Sequence, residues 1–250
     1  RLVETGAARL IGFEPDPDQY QAPQNRVKPN TMYLPYAVGD GQDAVLNICY
    51  APGMSSLLEP DMEVLDHFHS FSQWAEVLRR QPVATWKLDD IDQITAMDLL
   101  KLDVQGSELA VLQGAARRLE ATLVVQTEVQ FVPFYKDQPL FADLDQTLRK
   151  AGFYLHRFTP LVSRVFKPLL LNNDAYAGLS QVLWSDAIYV RKFTEFESIA
   201  AESLLKIALV AHDCYGSVDL AALALGHVDR RVGTRRQTAF LQRLARQRSG

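Results

Sequence analysis

The chain has 250 residues, of which 48% are hydrophobic and 22% are charged, and its formal net charge is −4. These values exclude disordered, collagen-like and solenoid proteins, and no apolar run approaches the ~18 residues that a membrane span requires. Cys49 and Cys214 are the only cysteines. Two thiols exclude a disulfide framework and a four-cysteine zinc site, and they favour a reducing, cytoplasmic location.

The charge is distributed unevenly along the chain. Seven arginines and one acid fall between residues 229 and 250, so this segment carries +6 and the remaining residues carry −10. A body of that charge is a poor surface for nucleic acid, so no nucleic-acid partner is expected. The basic segment is predicted to be the solvated face of a helix, although it is also the one part suited to an anionic partner.

The first predicted elements are a strand, an acidic turn and a helix. Residues 9–14 form an apolar strand, and Asp16 before Pro17 is typical of an N-cap, so a short helix is predicted to begin at Pro17. Two further strands are predicted at 33–38 and 44–49. The Gly39-Asp40-Gly41 segment between them predicts a hairpin-type turn.

The middle of the chain alternates between helical and strand patterns. Helices are predicted at 62–80, from Gly106-Ser107 onward, and at 139–151 with Gly152 after the last turn; strands are predicted at 83–88, 98–104, 122–131, 153–158 and 181–191. Alternation of this kind favours a doubly wound, mostly parallel sheet with helices on both faces, which is an α/β fold. This domain is predicted to cover residues 1–195, and residues 196–250 are predicted to form a helical C-terminal extension.

Two acids lie at the ends of predicted strands. Glu14 is the last residue of its strand, where a carboxylate can accept hydrogen bonds from both hydroxyls of a nucleotide ribose; it is equally suited to cap a helix. Asp103 lies near the carboxyl end of an apolar strand, and a carboxylate there is costly to bury unless it is paired or faces a ligand cleft. Lys101 is a candidate partner for it, and the same argument applies to Glu128.

Four segments of the sequence resemble the FkbM family of methyltransferases. They are IGFEPDPDQY (11–20), SSLLEPD (55–61), LLKLDVQGSELAVLQGA (99–115) and FYKDQPLF (134–141) with the strand before it. The long block is the most specific of them. The resemblance extends over about residues 1–192.

The resemblance implies a class I methyltransferase fold that uses S-adenosylmethionine. Glu14 and Pro15 would then bind the ribose, and Ala37 and Val38 would flank the adenine. Asp103 would be the catalytic residue next to the sulfonium and the acceptor, with Gln105 beside it on the cofactor side. Glu108 and Glu128 would line the substrate rim.

The sequence departs from the family pattern at two places. Gln105 stands where the family usually has Glu, which removes one charge from the rim. The first strand and its glycine-rich turn are expected to precede residue 1. On that interpretation, this chain by itself is expected to be a poor enzyme.

The leading hypothesis is an O-methyltransferase that acts on a hydroxyl of a sugar or secondary metabolite, with a small molecule or glycan as acceptor. One alternative is a nucleotide-binding oxidoreductase on a Rossmann sheet. Another is a catalytically silent module that binds a nucleotide or cofactor and forms homo-oligomers through its helical tail.

Overall fold

The computed structural model describes residues 2–15, 20 and 28–247. Its strands are β1 (Leu10–Phe13), β2 (Thr31–Leu34), β3 (Ala37–Val38), β4 (Asp43–Cys49), β5 (Val77–Trp86), β6 (Leu99–Leu102), β7 (Val124–Gln130), β8 (Phe153–Phe158), β9 (Val162–Arg164) and β10 (Gln181–Arg191). Its helices are α1 (Met62–Leu65), α2 (Phe71–Trp74), α3 (Glu108–Gln113), α4 (Ala116–Leu119), α5 (Phe141–Lys150), α6 (Ala201–Tyr215), α7 (Val218–Val232) and α8 (Arg236–Gln247). The helix predicted to begin at Pro17 lies outside the described residues.

The described strands form three sheets. β1 pairs with β2 in parallel, and a second sheet has the order β3-β5-β4. The third has the order β6-β7-β10-β8, with β9 also paired to β10. The α/β class is confirmed, but a single, mostly parallel sheet is not: β6 and β7 are parallel, whereas β10 runs antiparallel to β7, β8 and β9.

The predicted hairpin around Gly39-Asp40-Gly41 is wrong. β5 lies between β3 and β4, parallel to β3 and antiparallel to β4, so the two strands flanking the turn are not partners. Thr85 of β5 holds the turn instead, because its hydroxyl accepts a hydrogen bond from the Gly41 N–H at 3.0 Å and donates one to the Gln42 carbonyl at 2.7 Å.

The predicted helix over residues 62–80 is also wrong. Two four-residue helices, α1 and α2, occupy its first part, and β5 begins at Val77. Ser70, between the two helices, has a φ of 69°, which a continuous helix does not allow. Phe68 and Phe71 are buried with Phe134 in an aromatic core, and this packing overrides the local helical pattern.

The second half of the chain follows its predicted pattern closely. β8 and β10 have the predicted bounds, and α5 ends before Gly152, which has a φ of 90°. The predicted helical extension also forms, as the tail helices α6, α7 and α8. Of the helices in the described ranges, none has the length and hydrophobicity required to cross a membrane.

Side-chain alternation gives the third sheet two buried faces. Leu102, Val125 and Val129 share a core with α3 and α5 through residues such as Leu112 and Leu148. The opposite face packs against α6 and α7; its residues are Val124, Ile188 and Val190, which join a core with Leu204, Ile207, Ala208, Leu220 and Ala224. The tail helices therefore cover one face of the sheet, while the division at residue 195 stays a prediction.

Candidate functional site

Three carboxylates lie in one row across β6, β7 and β10. Glu128 of β7 is directly opposite Asp186 of β10. Asp103 immediately follows Leu102, which is opposite Thr127, so Asp103 stands beside Glu128 on its other side. Neighbouring strands are ~4.8 Å apart, so these acids are close enough to repel one another when ionised. We call Asp103, Glu128 and Asp186 the carboxylate row.

Side-chain amides connect the carboxylate row. The Gln105 Nε2 donates to Asp103 Oδ1 at 2.8 Å and to Glu128 Oε2 at 3.3 Å. Gln130 Nε2 donates to the same Glu128 oxygen at 2.8 Å. These neutral donors hold neighbouring acids in place without adding charge. Gln126 serves the third acid, with its Nε2 2.7 Å from Asp186 Oδ2.

The backbone turn after β6 holds Gln105 in place. Gln105 and Gly106 have φ values of 52° and 96°, so the chain reverses sharply before α3. The Ser56 hydroxyl donates to the Gln105 carbonyl at 2.5 Å. The Tyr135 hydroxyl lies 3.1 Å from the Met54 carbonyl and 3.4 Å from Gln105 Oε1. The main-chain carbonyl and the side-chain amide of Gln105 are therefore both held by residues far away in the sequence.

Glu128 has an unusual affinity for its proton. Burial raises its pKa from the ordinary 4.5 to about 8, and the negative charges of Asp103, Glu108 and Asp186 act in the same direction. The hydrogen bond from Gln130 acts in the opposite direction. At neutral pH this carboxyl is therefore mostly protonated and can donate as well as accept.

Glu108 was predicted on the substrate rim, but the structure places it beneath the turn. Its side chain is 1% exposed, and its Oε1 accepts hydrogen bonds from the backbone N–H groups of Val104 at 3.0 Å and Gly106 at 3.3 Å. Burial raises the pKa of Glu108. Because the carboxyl is used to close the turn, we assign it to holding the loop rather than to contacting an acceptor.

Asp103 is the accessible member of the network. Its side chain is 46% exposed, and Lys101 Nζ lies 3.3 Å from Asp103 Oδ2. An ion pair this exposed contributes little to stability. The carboxylate therefore has a charged partner and also a free path to solvent.

The remaining predicted site residues lie in, or directly after, strands of the other two sheets. Glu14 and Pro15 directly follow β1 and are partly buried, and the Glu14 N–H donates to the Leu34 carbonyl at 3.1 Å. Ala37 and Val38 form β3 and are only 6% and 8% exposed. The structure thus brings together Asp103, Gln105 and Glu128, whereas any contact that β3 makes with a ligand has to come largely from its backbone.

Sequence reasoning missed five members of this network: Ser56, Gln126, Gln130, Tyr135 and Asp186. Ser56 and Tyr135 lie within two of the segments that carry the family resemblance, so a signal for them was present. Asp186 gives no local signal, because its place beside Glu128 depends on the register of β10 against β7. Within the described residues, no group of three or more His, Cys, Asp or Glu side chains is arranged to hold a metal ion.

Comparison with known proteins gives one match. A family model described as Methyltransferase FkbM domain matches residues 2–155, which is more than half of the chain and includes the turn after β6 and all of β7. No curated protein and no solved structure matches the chain.

Proposed function

Because the chain belongs to the FkbM methyltransferase family, we propose that it is an S-adenosylmethionine-dependent O-methyltransferase acting on a hydroxyl of a sugar or secondary metabolite. The observation that carries this proposal is the carboxylate row after β6 and along β7, with Asp103 open to solvent and Glu128 beside it. Ligands of parallel α/β sheets bind beyond the carboxyl ends of strands. Asp103 lies at such an end, and so does Glu14.

The residues present suit the cofactor chemically. The Glu14 carboxylate offers two acceptor oxygens, which is what two vicinal ribose hydroxyls require, and Pro15 continues the same surface. Asp103 offers an accessible negative charge, which suits the cationic end of the cofactor. Ala37 and Val38 would present backbone atoms toward the adenine, since their side chains are buried.

Bound S-adenosylmethionine supplies an electrophilic methyl group. The chain has to align an acceptor hydroxyl and remove its proton. In this proposal Asp103 orients the hydroxyl, and Gln105 keeps Asp103 and Glu128 side by side. A carboxylate of the row then receives the proton.

The proposal also includes the finer points of the sequence interpretation. The methyltransferase domain is residues 1–195, in which the parallel pairs β1–β2 and β6–β7 belong to one doubly wound arrangement whose strand ends face a common crevice. Residues 196–250 are a helical extension through which copies can associate. The protein works in the cytoplasm on a small molecule or glycan, without nucleic acid.

Calorimetric titration of the full-length protein with S-adenosylmethionine, S-adenosylhomocysteine and NAD tests the proposal. We expect both sulfur compounds to bind and NAD not to bind. Binding of NAD alone would indicate the oxidoreductase alternative. Binding of none of the three would indicate a silent module and would contradict the proposal.

A further inference from the structure

The three acids of the carboxylate row differ in their neighbours. Glu128 is the central member, with Asp103 on one side and Asp186 on the other. In the part of the chain that the structure describes, the amides of Gln105 and Gln130 both donate to Oε2 of Glu128. The second oxygen, Oε1, is therefore the one left to bind a proton.

Three acids from three neighbouring segments raise the pKa of Glu128. They are Asp103 after β6, Glu108 on α3 and Asp186 on β10. The nearest cation of β6, Lys101, has its ammonium 3.3 Å from Asp103, which neutralises that neighbour rather than Glu128. Tyr135 adds no further negative charge, because burial raises its pKa and keeps the hydroxyl neutral. This environment favours a proton on Glu128.

Asp103 has the opposite surroundings. It is half exposed, pairs with Lys101 and accepts the Gln105 amide, and each of these features stabilises a carboxylate. Its exposed carboxylate is placed to attract a cation or to orient a hydroxyl. The two neighbouring acids are thus suited to different tasks.

We propose that Glu128 is the catalytic residue that takes the proton of the acceptor hydroxyl, and that Gln105 is the positioning residue that holds Glu128 next to Asp103. The inference rests on the proposed methyltransferase function. In the step, the acceptor oxygen forms a bond to the methyl carbon, the carbon–sulfur bond breaks with its electron pair passing to sulfur, and the hydroxyl proton passes to Glu128 Oε1.

The pH dependence follows from the state of Glu128. Only its carboxylate form can accept a proton, and a pKa of about 8 makes this form half populated near pH 8. From pH 7 to pH 9 the carboxylate fraction rises about tenfold. We therefore expect the rate of methyl transfer to rise by about that factor and then to level off.

Carboxyl ¹³C NMR of the ligand-free full-length protein, labelled at glutamate, tests the assignment without turnover. We expect one glutamate to titrate near pH 8, its signal to vanish in Glu128→Gln, and its midpoint to fall in Asp103→Asn, because a neighbouring charge is removed. Glu76→Gln is the control, since Glu76 is an exposed acid and its replacement should leave the Glu128 signal unchanged. A Glu128 signal that titrates near its ordinary 4.5 would overturn the inference.

Rate measurements on the same variants complete the test. Glu128→Gln should lose the rise between pH 7 and 9, while its affinity for S-adenosylmethionine stays within about twofold of wild type. Gln105→Glu should move the midpoint of the pH–rate profile upward, because it replaces an amide donor with a further acid. If Glu128→Gln keeps the wild-type pH profile, the inference fails and the proposed function stands. If no variant, wild type included, binds S-adenosylmethionine, the proposed function fails.

Discussion

Glu128 and Asp103 are neighbours on adjacent strands, yet their environments differ in burial and in charge. Glu128 is largely enclosed and faces three acids, whereas the side chain of Asp103 is 46% exposed and lies beside Lys101. Burial and like charges favour the neutral form of a carboxyl group, and solvent and an ammonium group favour the ionised form. One row of acids therefore combines a buried carboxyl group whose pKa is raised with an exposed carboxylate that pairs with a lysine.

The raised pKa of Glu128 predicts how the stability of the protein depends on pH. Between the ordinary pKa of 4.5 and the folded value of about 8, the unfolded chain has released the Glu128 proton while the folded protein still holds it. The free energy of unfolding must therefore fall as pH rises through this window, by up to about 1.4 kcal/mol per pH unit, and the loss ends above about pH 8.

Glu128→Gln should remove that contribution while the contribution of Glu108, which has the same sign, remains. Urea denaturation of both proteins between pH 5 and 9 measures the difference. We expect the variant to lose less stability than wild type over this range. Parallel curves for the two proteins would contradict the raised pKa of Glu128.

Glu14 gives a second prediction for a single residue. If its carboxylate accepts hydrogen bonds from both ribose hydroxyls, Glu14→Ala removes two charge-assisted bonds of roughly 1.5–3 kcal/mol each. The affinity for S-adenosylmethionine should fall at least tenfold in a calorimetric titration. The exposed acid Glu76 provides the matched control, since Glu76→Ala should bind as wild type does. Equal affinity in both variants would remove the ribose assignment.

The tight turn between β6 and α3 depends on a glycine. Gly106 has a φ of 96°, and a Cβ at this position would lie 2.9 Å from Tyr135 Cδ2. Gly106→Ala therefore adds backbone strain and a steric clash at the residue that precedes the N-cap of α3. We expect a loss of ~1–3 kcal/mol in stability and a displaced Gln105.

The control for this substitution is Gly53→Ala, because a Cβ on Gly53 meets nothing within 4 Å. Thermal unfolding of the two variants and the wild type gives the comparison. Gly53→Ala should unfold close to the wild-type temperature and Gly106→Ala several degrees lower. A Gly106→Ala protein as stable as Gly53→Ala would show that the turn tolerates a side chain.

Elements whose hydrophobic pattern reflects one simple environment were predictable from the sequence. β8 and β10 and the helix stripe of α5 were predicted well, because each faces a regular core. Residues 62–80 were not, since Phe68 and Phe71 pack into an aromatic core assembled from distant segments. In the site, Asp103 and Glu128 were visible at strand ends, but Asp186 and Ser56 required a strand register and a loop contact that local patterns do not contain.

The tail helices and the third sheet share one core. Leu204 of α6 is fully buried with Val124 and Ile188 of the sheet. Arg191 at the end of β10 donates hydrogen bonds to the carbonyls of Thr122 and Ala151. Covering one face of a sheet with a helical layer is the ordinary way to complete an α/β fold.

Leu204→Ala tests whether this shared core couples the two parts. Removing a fully buried leucine side chain should cost ~2–5 kcal/mol. The control on the same helix is Leu209→Ala, because Leu209 is 41% exposed and its loss should be nearly neutral. The three tryptophans, Trp74, Trp86 and Trp184, all precede residue 195, so their fluorescence reports on the sheet region.

With a shared core, Leu204→Ala should lower the tryptophan-detected midpoint together with the helix-detected midpoint in circular dichroism. If only the helix-detected transition moves, residues 196–250 are a separable unit that contributes nothing to the stability of the sheet.

The most direct test of the central claim, that methyl transfer takes place at the carboxyl ends of β6 and β7, is the turnover of Asp103→Asn. The assay uses the full-length protein with a hydroxyl acceptor at pH 8 and measures the release of S-adenosylhomocysteine. The free energy of unfolding is determined on the same preparation. Asp103→Asn keeps the shape of the side chain and removes its accessible charge, so we expect turnover to fall by roughly 10² or more while stability changes by less than ~1 kcal/mol. Asp92→Asn, which alters an exposed acid elsewhere, should keep full turnover. Full turnover in Asp103→Asn, with lowered stability from the loss of the partner of Lys101, would contradict the account.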